Sequence, residues 1–383
     1  MSLLKTCQIT DRLAYLGFNN FGRLGPTNIK RLENHFPDLA TAWNASNSEL
    51  SAAGLNHKIA AAFTVWRASC NPEAIAADLA KEGINYLNWH EAAYPVLLRN
   101  IPAAPPLLYY RGDLGRPEAN RLAVVGCRKP SAYAEKVIAC LLPVIGDAGI
   151  TIVSGLAVGV DTLAHRLALN LPGRTFAVLG SGLARHRLYP RANHYLADQI
   201  IRAGGAVISE FPPDTPPYRQ NFPQRNRIIA GLAQATLVIE AGQKSGALIT
   251  AAQALEQGRE VMAIPGNIFS ECSVGTNRLI GSGAKMITGA EDVLEIFSLN
   301  TRCRTDNQPA TDNYRPAAKY QPANAAEAII YDLLQAANAR AETITADQIA
   351  RKSKLDTSTI NSTLSILEIA GIAKNTGSGY DLN

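Results

Sequence analysis

The 383-residue sequence predicts an α/β protein built on a doubly wound, mostly parallel sheet, with a small helical domain before it and another small domain after it. Between Arg121 and Phe297, short apolar runs alternate with helical stretches, and nearly every run is apolar on both faces, as parallel strands between two helix layers must be. Length supports the same reading, since at about 150 residues per domain the chain holds two or three. With 47% apolar and 18% charged residues, the composition is that of a globular protein and argues against global disorder.

In chain order, residues 1–70 read as helices, with apolar spacing at Leu13, Leu16, Ile29, Leu32, Phe36, Leu39 and Trp43 and turns at Asn19-Asn20, Gly25-Pro26 and Pro37. Leu24-Gly-Pro-Thr-Asn-Ile29 joins two of them in the manner of a helix-hairpin-helix or SAM-like bundle. Residues 71–299 form the main domain. It opens with the Pro-dense stretch 102–106, after which Leu107–Tyr110 reads as an edge strand. Its motif core, 121–297, carries strands at 122–126, 151–153, 175–179, 206–208, 236–239 and 260–264, with a seventh at 285–287. Helices between them give right-handed crossovers and an extended Rossmann-like sheet, whose ligands bind beyond the carboxyl ends of the strands. Residues 300–322, with four Arg/Lys and almost no large aliphatics, read as a linker. The last domain, 323–383, has helices at 325–337, 346–352 and 357–370, then short strand-like pieces around Gly377-Ser-Gly379, the order of a winged helix.

The six cysteines form no CxxC pair and no cluster with histidine, so neither zinc nor a disulfide framework is expected. No signal-like N-terminus and no run of about 18 apolar residues occurs, which predicts a cytoplasmic protein without a membrane partner. The net charge of +5 is unevenly spread: residues 181–230 carry seven Arg against Asp198, Glu210 and Asp214. Such a concentration suits a phosphate-contacting face.

Within that stretch lies Phe222-Pro-Gln-Arg-Asn-Arg-Ile-Ile-Ala-Gly231, a loop-to-helix junction with two guanidiniums and an amide where a Pro-started helix leaves its backbone N–H groups unpaired. Tyr218 and Phe222 bracket Arg219, placing rings able to stack on bases beside charges able to hold phosphates. Single-stranded nucleic acid is the ligand this mixture suggests; the competing reading is a surface loop whose arginines pair with nearby carboxylates. Lys244-Ser245-Gly246, ahead of a helix at 247–257, offers a cation, a hydroxyl and helix amides to a phosphate, or is a capped helix beside a solvated lysine. Asp161, with His165 one turn on, reads as a helix N-cap rather than a metal fragment or acid/base pair, because no third ligand or nucleophile accompanies them. Dinucleotide binding is disfavoured: Gly180-Ser-Gly182-Leu-Ala-Arg185 puts Arg where the third Gly belongs. A P-loop is disfavoured too, since no Gly precedes Lys244.

Taken together, Val124-Val-Gly-Cys-Arg128, Val153–Asp161 with Ala164-His165, Thr175–Gly182 with Tyr189-Pro190, Ile208–Phe211, Phe222–Ile229, Ser245–Thr250 and Gly258–Val261 with Ile264-Pro-Gly266 resemble the DNA-processing protein A (DprA/Smf) family. The resemblance spans residues 90–297, and Tyr94-Pro95 and Leu108–Gly112 extend it upstream. It implies a Rossmann-like domain that binds single-stranded DNA in a basic pocket, forms a homodimer through that domain, and loads the RecA recombinase during natural transformation, without a cofactor, metal or catalytic residue. Carried over by motif, Gly126, Arg128, Arg219, Phe222, Lys244, Ser245 and Gly246 are the DNA contacts, and Ser154, Gly155, Asp161, Arg225 and Asn226 organise the pocket. Cys127 departs from the family, which more often has a small hydroxyl residue there.

The terminal domains match the family's SAM-type and winged-helix additions less closely. Residues 323–383 carry five Arg/Lys against seven Asp/Glu, and the helix from Thr357 has no basic residue, which predicts a protein-contact module rather than a duplex reader. Two rivals to DNA binding remain at the sequence level. One is a nucleotide hydrolase of the lysine-decarboxylase-like Rossmann group, although Glu240–Gly246 lacks that group's Pro-Gly-Gly-x-Gly-Thr motif and its following catalytic Glu. The other is a nucleotide-sensing scaffold.

Overall fold

The computed structural model describes residues 9–298, 322, 324–338, 343–353, 355–369, 372–376 and 379–382. The chain divides into two compact units, Met1–Arg302 and Cys303–Asn383. The expected linker, 300–322, lies outside the described residues apart from residue 322.

The first unit holds a nine-stranded sheet: β1 (Asn85–Asn88), β2 (Leu107–Gly112), β3 (Arg121–Val125), β4 (Thr151–Ser154), β5 (Thr175–Val178), β6 (Ala206–Ser209), β7 (Ala235–Val238), β8 (Glu260–Ala263) and β9 (Lys285–Met286), in the order β1-β2-β6-β5-β4-β3-β7-β8-β9. From β6 to β9 every pairing is parallel, while β1–β2 and β2–β6 are antiparallel. β2 is therefore not the edge strand the prolines suggested. β1 lies outside it, with Leu87 opposite Leu108, and its sequence, Asn-Tyr-Leu-Asn, is too short and polar to announce a strand by itself.

Alternation of side chains across the pleat divides the core into two layers. Leu122, Val124, Ile152 and Leu237 face the helices Ala132–Asp147, Val160–Ala168 and Ala290–Ile296. Ala123, Val125, Val153 and Ala177 belong to the opposite layer, which also contains the buried side chains of the N-terminal helices. Phe18 stacks on Phe63 with ring centroids 4.8 Å apart, and Tyr109 of β2 donates its hydroxyl hydrogen to Asn19 Oδ1 (2.9 Å). These helices thus share one continuous core with the sheet.

The strand order reverses between β3 and β7. β3 leads to β4 on one side, and β7 leads to β8 on the other. Such a switch point opens a crevice at the carboxyl edge because the two crossovers depart in opposite directions.

The second unit packs the helices Ala325–Asn338, Ala346–Ser353 and Thr357–Ile369 around Ile330, Leu334, Ile349, Ile360 and Leu364. An antiparallel pair, β10 (Ala373–Asn375) and β11 (Tyr380–Leu382), completes a winged-helix arrangement, and Tyr380 also bridges to Ile344. Gly377 and Ser378, expected in the turn of the wing, lie outside the described residues.

Candidate nucleic-acid interface

The carboxyl edge of the parallel strands gathers the motif residues. Gly126-Cys127-Arg128 follows β3, Ser154-Gly155 ends β4, Gly180 lies beyond β5, and Lys244–Gly246 follows β7. Into this edge runs the helix Asn221–Gly231, which begins two residues before Pro223, so Pro occupies an early helical position rather than starting the helix.

The two guanidiniums of that helix turn inward instead of forming an open anion site. Arg225 is 5% exposed and donates to the carbonyls of Gly155 (2.6 Å) and Val178, clamping the ends of β4 and β5. Its Nε donates to Asn226 Oδ1 (3.2 Å), while Asn226 Nδ2 donates to Gly246 O (3.4 Å) and reaches the β7 loop. Gly155 permits this clamp, since a Cβ there would lie 2.7 Å from the Arg225 guanidinium. Burial lowers the Arg225 pKa to about 10, with Asp161 opposing the shift and the nearby Arg128 adding to it. Arg227 forms a buried ion pair with Glu210. Arg227 thus follows the carboxylate reading, while Arg225 is taken up by backbone carbonyls, partners that neither reading named.

Asp161 is not the cap of its helix. Gly159 occupies the N-cap at φ 92°, where a side chain would overlap the Cys127 carbonyl, and Asp161 instead accepts from the amides of Gly155 (3.0 Å) and Ala157 (3.3 Å). Burial holds its pKa above the ordinary carboxylate value, with Arg225 opposing. Ser154 Oγ donates to Val124 O (2.7 Å), tying β4 to β3. His165 donates through Nδ1 to Thr175 Oγ1 (2.7 Å), a tautomer required because Thr175 donates its own proton to Ile152 O (3.0 Å). Burial lowers the His165 pKa to about 3 and keeps the ring neutral. Among the described residues no group of three or more His, Cys, Asp or Glu is placed to hold a metal.

What remains open to solvent is a set of cations. Arg128, Lys129, Arg219 and Lys244 are exposed, and among the described residues none has an ion-pair partner within 4.0 Å. Arg185, by contrast, meets Asp198 at 3.4 Å. Phe222 is half-buried, its ring 5.6 Å from that of the exposed Tyr189 and packed on Gly180. Ser245 caps its helix by accepting from Ala247 N (3.3 Å), and Gly246 faces open space, leaving its backbone accessible. Gly126 has a packing role, because a Cβ there would lie 2.6 Å from Val160. Burial and Glu240 push the Cys127 thiol up to about 12, which favours its protonated form.

Two features escape sequence reading. Lys129 extends the basic rim and had a local signal, since it directly follows Arg128. A cavity of about 500 Å³ near the switch point, lined by Ser131, Tyr133, Glu240, Pro265, Gly266 and Asn267 among others, had none, because it is assembled from separate loops.

A family model described as DNA recombination-mediator protein A matches residues 85–298, and one described as the DprA winged helix domain matches residues 315–377. Protein Smf of Synechocystis sp. is 38% identical over 290 residues, covering 74% of this chain and 72% of its own length. DNA processing protein DprA of Bacillus subtilis is 41% identical over 225 residues, 58% of this chain and 74% of its own. The X-ray structure of DprA from Streptococcus pneumoniae superposes with a TM-score of 0.64 at 34% identity, covering 75% of this chain and 98% of that one. DprA from Helicobacter pylori, whose structure concerns its single-stranded DNA binding mode, gives a TM-score of 0.50 at 27% identity over 56% of this chain and 95% of that one. On the ordered motifs, the sheet and these matches, the chain belongs to the DprA/Smf family of DNA-processing recombination mediators.

Proposed function

We propose that the carboxyl rim of the sheet binds single-stranded DNA without sequence preference and that the protein delivers this strand to the RecA recombinase during natural transformation. The observation that carries the reading is the contrast between Arg225 and Arg227, which internal oxygens consume, and Arg128, Lys129, Arg219 and Lys244, which are exposed and have no carboxylate partner among the described residues. Cations left unpaired on one rim suit a polyanion. Arg128, Arg219 and Lys244 hold phosphates, and a base lies on the exposed side of the Phe222–Tyr189 pair. Gly246 admits the backbone closely, while Ser154, Gly155, Asp161, Arg225 and Asn226 keep the rim in shape. The protein acts as a homodimer through the Rossmann-like domain and as a binder without a reaction of its own. The Helicobacter pylori relative, a single-strand binder by its structure's description, supports the choice of ligand.

A salt titration with single-stranded and duplex oligonucleotides tests this. Log affinity for the single strand should fall with log salt by about 0.7 per phosphate neutralised, and duplex should bind more weakly at equal salt. Failure to bind single strands at low ionic strength would refute the reading.

A further inference from the structure

We propose that the switch-point cavity is a nucleobase pocket and that Phe269, on the loop forming one of its walls, is a second stacking platform for the bound strand; this rests on the DNA-binding reading above. The cavity, about 500 Å³, is bounded on one side by Ser131 and Tyr133, which follow β3, and on another by Pro265, Gly266 and Asn267, which follow β8. Its lining carries one carboxylate, that of Glu240 at the end of β7, and no Lys or Arg. A wall with a carboxyl group and no Lys or Arg offers N–H groups an acceptor and offers phosphate no cation, so the space suits a base and not the backbone. Glu240 is 2% exposed and is oriented by Ser131, which donates its amide to Oε2 (3.0 Å) and its hydroxyl to Oε1 (2.5 Å). With one donor on Oε1, that oxygen retains an acceptor site.

The wall is braced against its neighbours. Tyr133 donates its hydroxyl to Pro265 O (2.8 Å), and Asn277 bonds both the amide and the carbonyl of Gly266 (3.0 Å each). Between the lining residues Asn267 and Ser270, this loop presents Ile268 at 77% and Phe269 at 90% exposure, while Tyr133 is 46% exposed. Phe269 N donates to Asn267 Oδ1 (2.9 Å), which fixes the turn carrying the ring. Two adjacent large apolar side chains held out on a braced loop serve binding rather than folding. The occupant follows from continuity with the rim: Arg128 and Lys129 lie three and two residues before Ser131, and Lys244 follows Glu240 by four residues, so exposed cations flank the cavity lining on both chain segments.

The test uses the full chain, fluorescence anisotropy with single strands of equal length, either ordinary or abasic, and the variants Phe269→Ala and Phe269→Trp. Phe269→Ala should weaken binding of the ordinary strand roughly tenfold, leave the salt slope unchanged, and have no effect on the abasic strand. Phe269→Trp should restore the affinity. The inference is overturned if Phe269→Ala binds the ordinary strand like the wild type, if it loses equally on the abasic strand, or if its loss comes with a dimer-to-monomer shift in sedimentation, which would assign the ring to a second copy of the chain. Should the wild type ignore single strands altogether, the DNA-binding reading falls and this inference falls with it. If only the variant comparison fails, the rim reading stands.

Discussion

Replacing Arg227 with Met should cost several kcal/mol and make the stability of the first unit strongly pH-dependent. The side chains of Arg227 and Glu210 are 12% and 9% exposed, and the pair is thinly supported: Glu210 Oε1 and Arg227 Nη1 have no hydrogen-bond partner. Removing one partner of a buried ion pair leaves an uncompensated charge and costs about 3–5 kcal/mol. For a unit near 300 residues that corresponds to a drop in Tm of about 5–8 °C. Burial already holds the Glu210 pKa above its ordinary value while Arg227 opposes the shift, so the variant's carboxyl should titrate higher still. A raised folded-state pKa means that the folded chain retains a proton the unfolded chain releases above about pH 4.3. Stability of the variant must therefore fall as pH rises through the window between those two values, and the cost of the substitution must be larger at pH 8 than at pH 5. All three tryptophans, Trp43, Trp66 and Trp89, lie in the first unit, so their fluorescence during urea unfolding reports on that unit alone. Combining Glu210→Gln with Arg227→Met should recover most of the loss, because the amide leaves no charge behind. A cost under about 1 kcal/mol at pH 8, or an equal cost at both pH values, would show that the pair is not a buried one in the energetic sense.

Other expectations are simpler to check. His165 has its folded pKa lowered to about 3, so the stability it contributes is complete above about pH 6.5 and is lost as pH falls towards 3; His165→Leu should flatten that acid limb in urea midpoints measured between pH 7 and pH 4. Lys244→Ala should weaken single-strand binding and reduce the salt slope by about 0.7, with Tm unchanged, since the side chain is exposed and without an ion pair among the described residues. For Phe222→Ala, affinity for oligo-dT should drop by about 1–3 kcal/mol while the chain stays folded, and an unchanged Kd would remove the ring from the site.

Much of this protein is legible from residue order alone. Strands β3 to β8 announce themselves because a strand buried on both faces must be apolar at successive positions, and that pattern is local. Small and basic residues at their carboxyl ends point to the ligand edge, because parallel strands place all those ends along one edge of the sheet. The ordered motifs also sufficed to indicate the family. What residue order left open is which cation meets which oxygen. Arg225 and Arg227 look as free in the sequence as Arg219, yet the first finds carbonyls of residues 155 and 178, the second finds Glu210, and Arg219 stays exposed. β1 went unread because Asn85–Asn88 becomes a strand only by pairing with β2. The Glu240 cavity went unread because its walls follow three different strands. Periodicity and propensity act over a few neighbouring residues, whereas the pairing of charges and the shape of a crevice are set when distant segments pack and each buried polar group must take the partner within reach.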